Sequence, residues 1–251
     1  MEMVILTALG VGGATVFGSI LGFIFKKISH KFSDIVLSFA AGVMLCAAVT
    51  GLILPSLEYE SFSPLLMTVA GILCGAFFLN VLDKLVPHLH RLAGVEQEQH
   101  PDSSAKLSKV LLFVMAIAIH NLPEGIAAGV GFGSGDTAQA LTIAAGIALQ
   151  NIPEGMVIIG PMLAAGMRPG RTFVYAMLTG VVEVIGTLLG FFAVNISTAI
   201  LPFALAFAGG TMLYVISDEM IPETHHGETR GVTYALLLGF CLMLAMGYWL
   251  G

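Results

Sequence analysis

Residues 108–131 read SKVLLFVMAIAIHNLPEGIAAGVG. The stretch is long enough to cross the hydrocarbon core of a bilayer as a helix, which takes roughly 20 mainly apolar residues. A group of polar residues, His120, Asn121 and Glu124, interrupts its apolar character near the middle. Ionisable side chains at this depth are costly and rare, so they point to a functional site.

The rest of the chain has the same apolar character. Of its 251 residues, 57% are hydrophobic and 10% are charged, whereas about 25% are charged in a typical soluble domain. We therefore predict an all-α, polytopic membrane protein whose partner is the lipid bilayer and whose residues 1–251 form a single transmembrane domain. The predicted spans are about 3–25, 35–57, 64–86, 108–131, 138–163, 172–194, 198–220 and 231–250.

The basic residues predict the orientation of the chain in the membrane. With eight spans, every Lys and Arg lies in or beside a loop on one face, including the long polar connection at about 87–107. The positive-inside rule makes that face cytosolic and places both termini outside the cytosol. No basic patch suited to nucleic acid is present, and no nucleic-acid partner is expected. The basic residues are Lys26, Lys27, Lys31, Lys84, Arg91, Lys106, Lys109, Arg168, Arg171 and Arg230.

A short motif occurs twice, as HNLPEG at 120–125 and as QNIPEG at 150–155. In each copy the first residue and the Glu are four positions apart, so they share one face of a helix. The proline of each copy lacks a backbone N–H, which leaves a carbonyl of the preceding turn without its helical partner. At this depth such a backbone is tolerated where it lines a cavity or is buried in protein. The repeat therefore predicts a binding site at the contact of two adjacent spans.

The charge balance of the spans indicates what this site binds. Glu124, Glu154 and Glu183 lie near the midplane on three helices, and no Lys or Arg lies at this depth. Each ionised carboxylate there costs ~2.5–3.5 kcal/mol, so protons or cations must neutralise the group. The accompanying imidazole and amide groups favour zinc or a neighbouring transition metal over magnesium or calcium. Three carboxylates can hold one ion or two ions ~3.5–4 Å apart, and both remain open.

The two motifs in consecutive spans resemble the signature of the ZIP (Zrt-, Irt-like protein) metal transporters. Gln150, where many members have His, resembles the GufA-type branch. The resemblance implies zinc uptake into the cytosol across the plasma (cell inner) membrane, with Cd²⁺, Fe²⁺ or Mn²⁺ as further cargo and no cofactor. It also implies a 3+2+3 helix arrangement with inverted repeats, alternating access and a homodimer.

The same resemblance implies a set of metal ligands inside the membrane. They are His120, Asn121, Glu124, Gln150, Asn151, Glu154 and Glu183. A second set near the cytosolic face is expected to handle the departing metal. It consists of Asp218, Glu219, His88, His90, His225 and His226.

Two other classes of function remain open at this level. An intramembrane metal-dependent hydrolase could use carboxylate-bridged metals to activate water, although the chain contains no HExxH pair. A receptor or scaffold with a structural metal would bind the ion without moving it. Metal flux across a membrane distinguishes a transporter from both.

Overall fold

The computed structural model describes residues 1–25, 29–59, 63–85, 103–164, 166–196, 200–225 and 230–250. These residues form eight long helices and no strand, so the prediction of an all-α chain is confirmed for them. In chain order the helices are α1 (Glu2–Ile24), α2 (30–56), α3 (Pro64–Leu85), α4 (Ser103–Gly131), α5 (Thr137–Ala164), α6 (Pro169–Ile196), α7 (Leu201–Thr224) and α8 (Arg230–Leu250).

The helix lengths and compositions fit a polytopic membrane protein. Within the described ranges, seven helices are both long and apolar enough to span a bilayer. Helix α4 is 29 residues long, which at 1.5 Å per residue exceeds the ~30 Å core. It begins at Ser103, earlier than the predicted span, and the added residues 103–107 are mostly polar.

Two helices contain a widened π-helical turn that ends two residues before a proline. In α2 the π-helical segment is Ala47–Ile53 and Pro55 follows it. In α7 the segment is Ile216–Met220 and Pro222 follows it. A proline ring displaces the carbonyl four residues earlier, and a wider turn accommodates that displacement; such π-bulges occur frequently at functional sites.

The helices pack in two groups of four. In the first group α1 packs against α5 and α6, and α6 packs against α4. In the second group α2 packs against α8, and α3 packs against α7. The contacts between the groups, chiefly of α2 with α5 and of α4 with α7, are less extensive.

Glycine brings backbones into direct contact inside each group. A Cβ atom added at Gly125 would overlap the backbone carbonyl of Glu183, and one at Gly18 would overlap that of Ile152. In the second group a Cβ at Gly42 would overlap the carbonyl of Leu236. Because small residues allow this close approach, van der Waals packing can hold membrane helices together without a hydrophobic driving force.

Between the groups, glycines face side chains instead of backbone. A Cβ atom at Gly51 of α2 would lie 2.7 Å from Cγ1 of Ile143 in α5. One at Gly146 of α5 would lie 2.6 Å from the sulfur of Met243 in α8. The surface between the two groups therefore lacks, at these two positions, the backbone-to-backbone contacts that join helices within a group.

Candidate metal site

Helix α4 presents His120 and Glu124 on one face of adjacent turns. Nε2 of His120 lies 3.5 Å from Oε1 of Glu124, the separation of a close i, i+4 pair. Pro123 lies inside this helix without ending it. Glu124 is fully buried, whereas the His120 side chain is 13% exposed. The pair thus lies inside the protein, and only the imidazole is partly exposed.

Helix α5 completes the cluster from the opposite side. Oε2 of Glu154 lies 3.8 Å from Nε2 of His120. Gln150, one turn earlier on α5, is fully buried and donates a 2.6 Å hydrogen bond from Nε2 to Oε1 of Glu124. One ligand atom each from His120, Glu124 and Glu154 lie within 4.8 Å of one another. The two copies of the motif therefore meet face to face, as their repetition predicted.

The two motifs contain buried acceptor oxygens that have no donor. Within the described part of the chain, every buried side-chain polar atom without a hydrogen-bond partner is an oxygen of the two motifs. Leaving a buried acceptor unpaired costs about 1–3 kcal/mol, so such atoms require an explanation. Oxygen atoms of this kind are suitable ligands for a bound cation. They are Oε2 of Glu124, Oε1 of Gln150, Oδ1 of Asn151 and Oε1 of Glu154.

Glu183 lies outside this cluster, in an adjacent polar layer. Its Oε1 accepts hydrogen bonds from Oγ1 of Thr15 at 2.6 Å and from Nδ2 of Asn121. Its Oε2 accepts one at 2.7 Å from Nδ2 of Asn151, which also donates to the carbonyl of Val11. The carboxylate therefore joins α1, α4, α5 and α6 within the first helix group.

The structure divides the seven predicted ligands into two sets. His120, Glu124 and Glu154 form the cluster, with Gln150 bonded to it. Asn121 and Asn151 turn their amide nitrogens to Glu183. Whether any of these residues coordinates a metal stays a prediction.

The predicted pathway residues on α7 and at its C-terminal end have different surroundings. Oε2 of Glu219 lies 3.5 Å from Nδ1 of His120. Asp218 is exposed. Nδ1 of His225 lies 2.7 Å from the backbone carbonyl of Ile221 and 3.2 Å from Oγ1 of Thr224. The remaining predictions, His88, His90 and His226, lie outside the described residues.

Sequence reasoning missed two contacts of this site. Thr15 was not singled out, although Thr15 and Ser19 form an i, i+4 polar pair among the glycines of an apolar span, which is a detectable signal. Glu219 was expected to handle metal near the cytosol, and its contact with His120 was not foreseen. No sequence signal connects those two residues, because they lie on helices that are separated by two others.

Fold and site together define a polytopic membrane protein with a buried cluster of metal-binding character. The family model described as "ZIP Zinc transporter" matches residues 90–247. The chain belongs to the ZIP family, so the resemblance seen in its two motifs is confirmed.

Three relatives match over most of both chains. The chain is 39% identical to the zinc transporter GufA of Myxococcus xanthus, with 98% of each chain covered. It is 35% identical to the zinc transporter ZIPB of Bordetella bronchiseptica, over 95% of this chain and 78% of that protein. It is 34% identical to the zinc transporter ZupT of Chlorobaculum parvum, over 94% and 92% respectively. These relatives are named as transporters, and nothing among them favours a hydrolase.

Proposed function

We propose that this protein transports a divalent transition metal, chiefly zinc, across the bilayer into the cytosol. The single observation that carries the proposal is the set of buried, unpaired acceptor oxygens beside His120. A transition-metal ion would accept imidazole, carboxylate and amide ligands from this set. The printed names of the relatives support zinc as the cargo.

The proposed ligands at the cluster are His120, Glu124, Glu154 and Gln150, the last through its unpaired Oε1. We keep Asn121, Asn151 and Glu183 as proposed ligands of a second ion in the adjacent layer. Their present hydrogen bonds would have to open to admit it. Because the set mixes nitrogen and oxygen donors, Cd²⁺, Fe²⁺ and Mn²⁺ are proposed as further cargo.

The proposed transport cycle moves the two helix groups relative to each other. Close backbone contacts within each group favour rigid units, and the side-chain contacts between them favour relative movement. Because the proposed ligands all belong to the first group, that movement would carry the ion with them. The bound metal would then be accessible first from one side of the membrane and afterwards from the other.

The proposed 3+2+3 arrangement is supported by symmetric packing. The repeat relates α1, α2 and α3 to α6, α7 and α8 in that order, and it relates α4 to α5. Under this exchange the contact of α4 with α6 becomes that of α5 with α1, and the contact of α3 with α7 becomes that of α8 with α2; all four contacts are present. The π-helical segments before Pro55 and Pro222 correspond under the same exchange. Inverted repeats of this kind support a site at the repeat interface.

We also propose that both termini are extracytoplasmic, that the protein resides in the plasma membrane and that it forms a homodimer. The orientation rests on the one-sided distribution of Lys and Arg. The membrane and the homodimer rest on the family resemblance. Native mass spectrometry of the detergent-solubilised protein would test the dimer, and a monomer alone would contradict it.

Metal uptake into proteoliposomes tests the proposed function. Purified protein should carry zinc into the vesicles, and Glu154→Ala should abolish uptake while the protein stays folded. The matched control is Glu2→Ala, which removes an exposed carboxylate at the start of α1. Bound metal without flux in the unchanged protein would support a structural metal, and normal flux in Glu154→Ala would remove Glu154 from the site.

A further inference from the structure

We infer that Glu219 is a positioning residue for metal binding, which holds the ring of His120 through Nδ1 from the opposite helix group. The inference rests on the proposed function, and in it Glu219 affects metal binding through His120. It differs from the expectation that Glu219 binds departing metal itself.

The first step is the orientation of the imidazole ring. Nε2 of His120 faces Glu124 at 3.5 Å and Glu154 at 3.8 Å. Nδ1, on another edge of the ring, faces Oε2 of Glu219 at 3.5 Å. The ring therefore lies between the acidic cluster and a separate carboxylate, and each nitrogen has its own neighbour.

The second step is the tautomer. A metal at the cluster must bind the nitrogen that faces Glu124 and Glu154, which is Nε2. A neutral imidazole that binds metal through Nε2 carries its proton on Nδ1 and donates it to an acceptor. Oε2 of Glu219 is placed to accept that hydrogen bond. Acceptors of this kind fix the tautomer and ring orientation and raise the basicity of the ligand.

The third step is the position of Glu219 on α7. It lies in the π-helical segment Ile216–Met220, whose Ile216 and Met220 are buried. Its neighbour Asp218 is exposed, whereas Glu219 is partly buried, with 39% of its side chain exposed. The widened turn thus presents one of two adjacent carboxylates to His120.

The last step concerns the two helix groups. His120 belongs to α4 of the first group and Glu219 to α7 of the second, so their contact crosses the surface between the groups. Sliding α4 past α7 would separate them. Glu219 therefore supports His120 in the arrangement seen here and no longer does so once the groups have moved. Metal affinity then depends on the relative position of the two groups.

Cadmium binding, measured by nuclear magnetic resonance, tests the inference. In protein labelled with ¹⁵N-histidine and loaded with ¹¹³Cd²⁺, His120 should show coupling to cadmium at Nε2 and a proton on Nδ1. The His120→Gln variant identifies the signal. Glu219→Leu should weaken Cd²⁺ binding by about 10- to 100-fold, the range found for such supporting residues, and should produce a mixture of Nε2 and Nδ1 coordination.

Two further variants give the test its controls. Glu223→Leu removes an exposed carboxylate one turn further along α7 and should leave both affinity and coordination unchanged. Glu219→Gln keeps an acceptor oxygen and should retain Nε2 coordination with a smaller loss of affinity.

Coordination through Nδ1 in the unchanged protein would overturn the inference. Equal Cd²⁺ affinity and coordination in Glu219→Leu would overturn it as well. In either case, zinc uptake that still requires Glu154 would leave the proposed function intact. A protein that neither binds nor carries metal would instead overturn the proposed function.

Discussion

Thr15 donates a 2.6 Å hydrogen bond to Glu183, and this contact joins α1 to α6 inside the first helix group. Both side chains are buried. The side chain also accepts hydrogen bonds from α4 and α5, so it connects all four helices beside the cluster of His120, Glu124 and Glu154. Any shift of these helices relative to one another would therefore break hydrogen bonds to a buried carboxyl group.

Replacing Thr15 with Val should lower the stability of the protein. Val keeps the volume of Thr but removes the donor, and an intramolecular hydrogen bond contributes about 1 kcal/mol. The midpoint of thermal unfolding in detergent should fall. The control is Thr211→Val, whose buried hydroxyl donates to the carbonyl of Ala208 in the same helix. Equal losses in both variants would contradict a special role of the Thr15–Glu183 contact.

Adding a methyl group at Gly129 should separate α4 from α6. A Cβ atom there would overlap the backbone carbonyl of Thr187, which a rigid helix cannot move aside. Gly129→Ala should therefore lower the unfolding midpoint and reduce zinc uptake. Gly10→Ala adds the same atom on α1 where nothing lies within 4 Å. If the two variants unfold at the same temperature, close backbone packing does not hold the first group together.

Much of this architecture follows from the sequence, because the bilayer restricts the backbone so strongly. The spans follow from apolar length, and the site follows from carboxylates such as Glu124 and Glu154 that have no basic partner in their spans. The i, i+4 spacing correctly predicts that Glu124 and His120 share a face. That geometry depends on one helix alone.

What the sequence leaves open depends on contacts between helices. Spacing places Asn121 and Asn151 beside the motif glutamates, but their amide nitrogens turn to Glu183 because α6 and α1 pack on that side. A proline at 55 or 222 indicates an irregular turn without indicating a π-helix. Thr15 and Glu183 are 168 positions apart, and no local pattern relates them.

Lowering the pH should weaken metal binding. Metal binds neutral imidazole and ionised carboxylates, so protons compete for the same atoms. Affinity should be greatest at a pH where His120, Glu124 and Glu154 are unprotonated in the metal-free protein, and it should fall as the pH decreases. Calorimetry at two pH values in buffers of different ionisation enthalpy should detect protons released on binding. Binding without proton release and with constant affinity would argue against this ligand set.

Cysteine labelling should test the proposed orientation. In a variant without native cysteines, a single cysteine at Thr137 would mark the start of α5, and one at Gly170 would mark the start of α6. Both positions are exposed, and they lie beside opposite ends of α5. An impermeant thiol reagent outside intact cells should label the first and not the second. Labelling of both from outside would contradict the eight-span topology, and the reverse pattern would contradict extracytoplasmic termini.

Replacing Gln150 with His should shift metal preference towards zinc. The Gln150 side chain is fully buried, its nitrogen donates to Glu124 and its Oε1 has no partner. The substitution exchanges an amide oxygen for an imidazole nitrogen, a better zinc ligand, whereas manganese prefers oxygen. Zinc affinity should rise about tenfold, an increment of 1.4 kcal/mol, and manganese should gain least. Maximal flux should fall, because a tightly bound ion leaves the carrier more slowly.

The measurement is binding and uptake of zinc and manganese at matched expression and pH. Gln139→His adds an imidazole to the first turn of the same helix, away from the cluster, and should change neither affinity. An unchanged ratio of zinc to manganese affinity in Gln150→His would show that residue 150 does not coordinate the ion. Gln150 would then act only through its hydrogen bond to Glu124. His120, Glu124 and Glu154 would bind the metal, with Glu154 as the one ligand from α5.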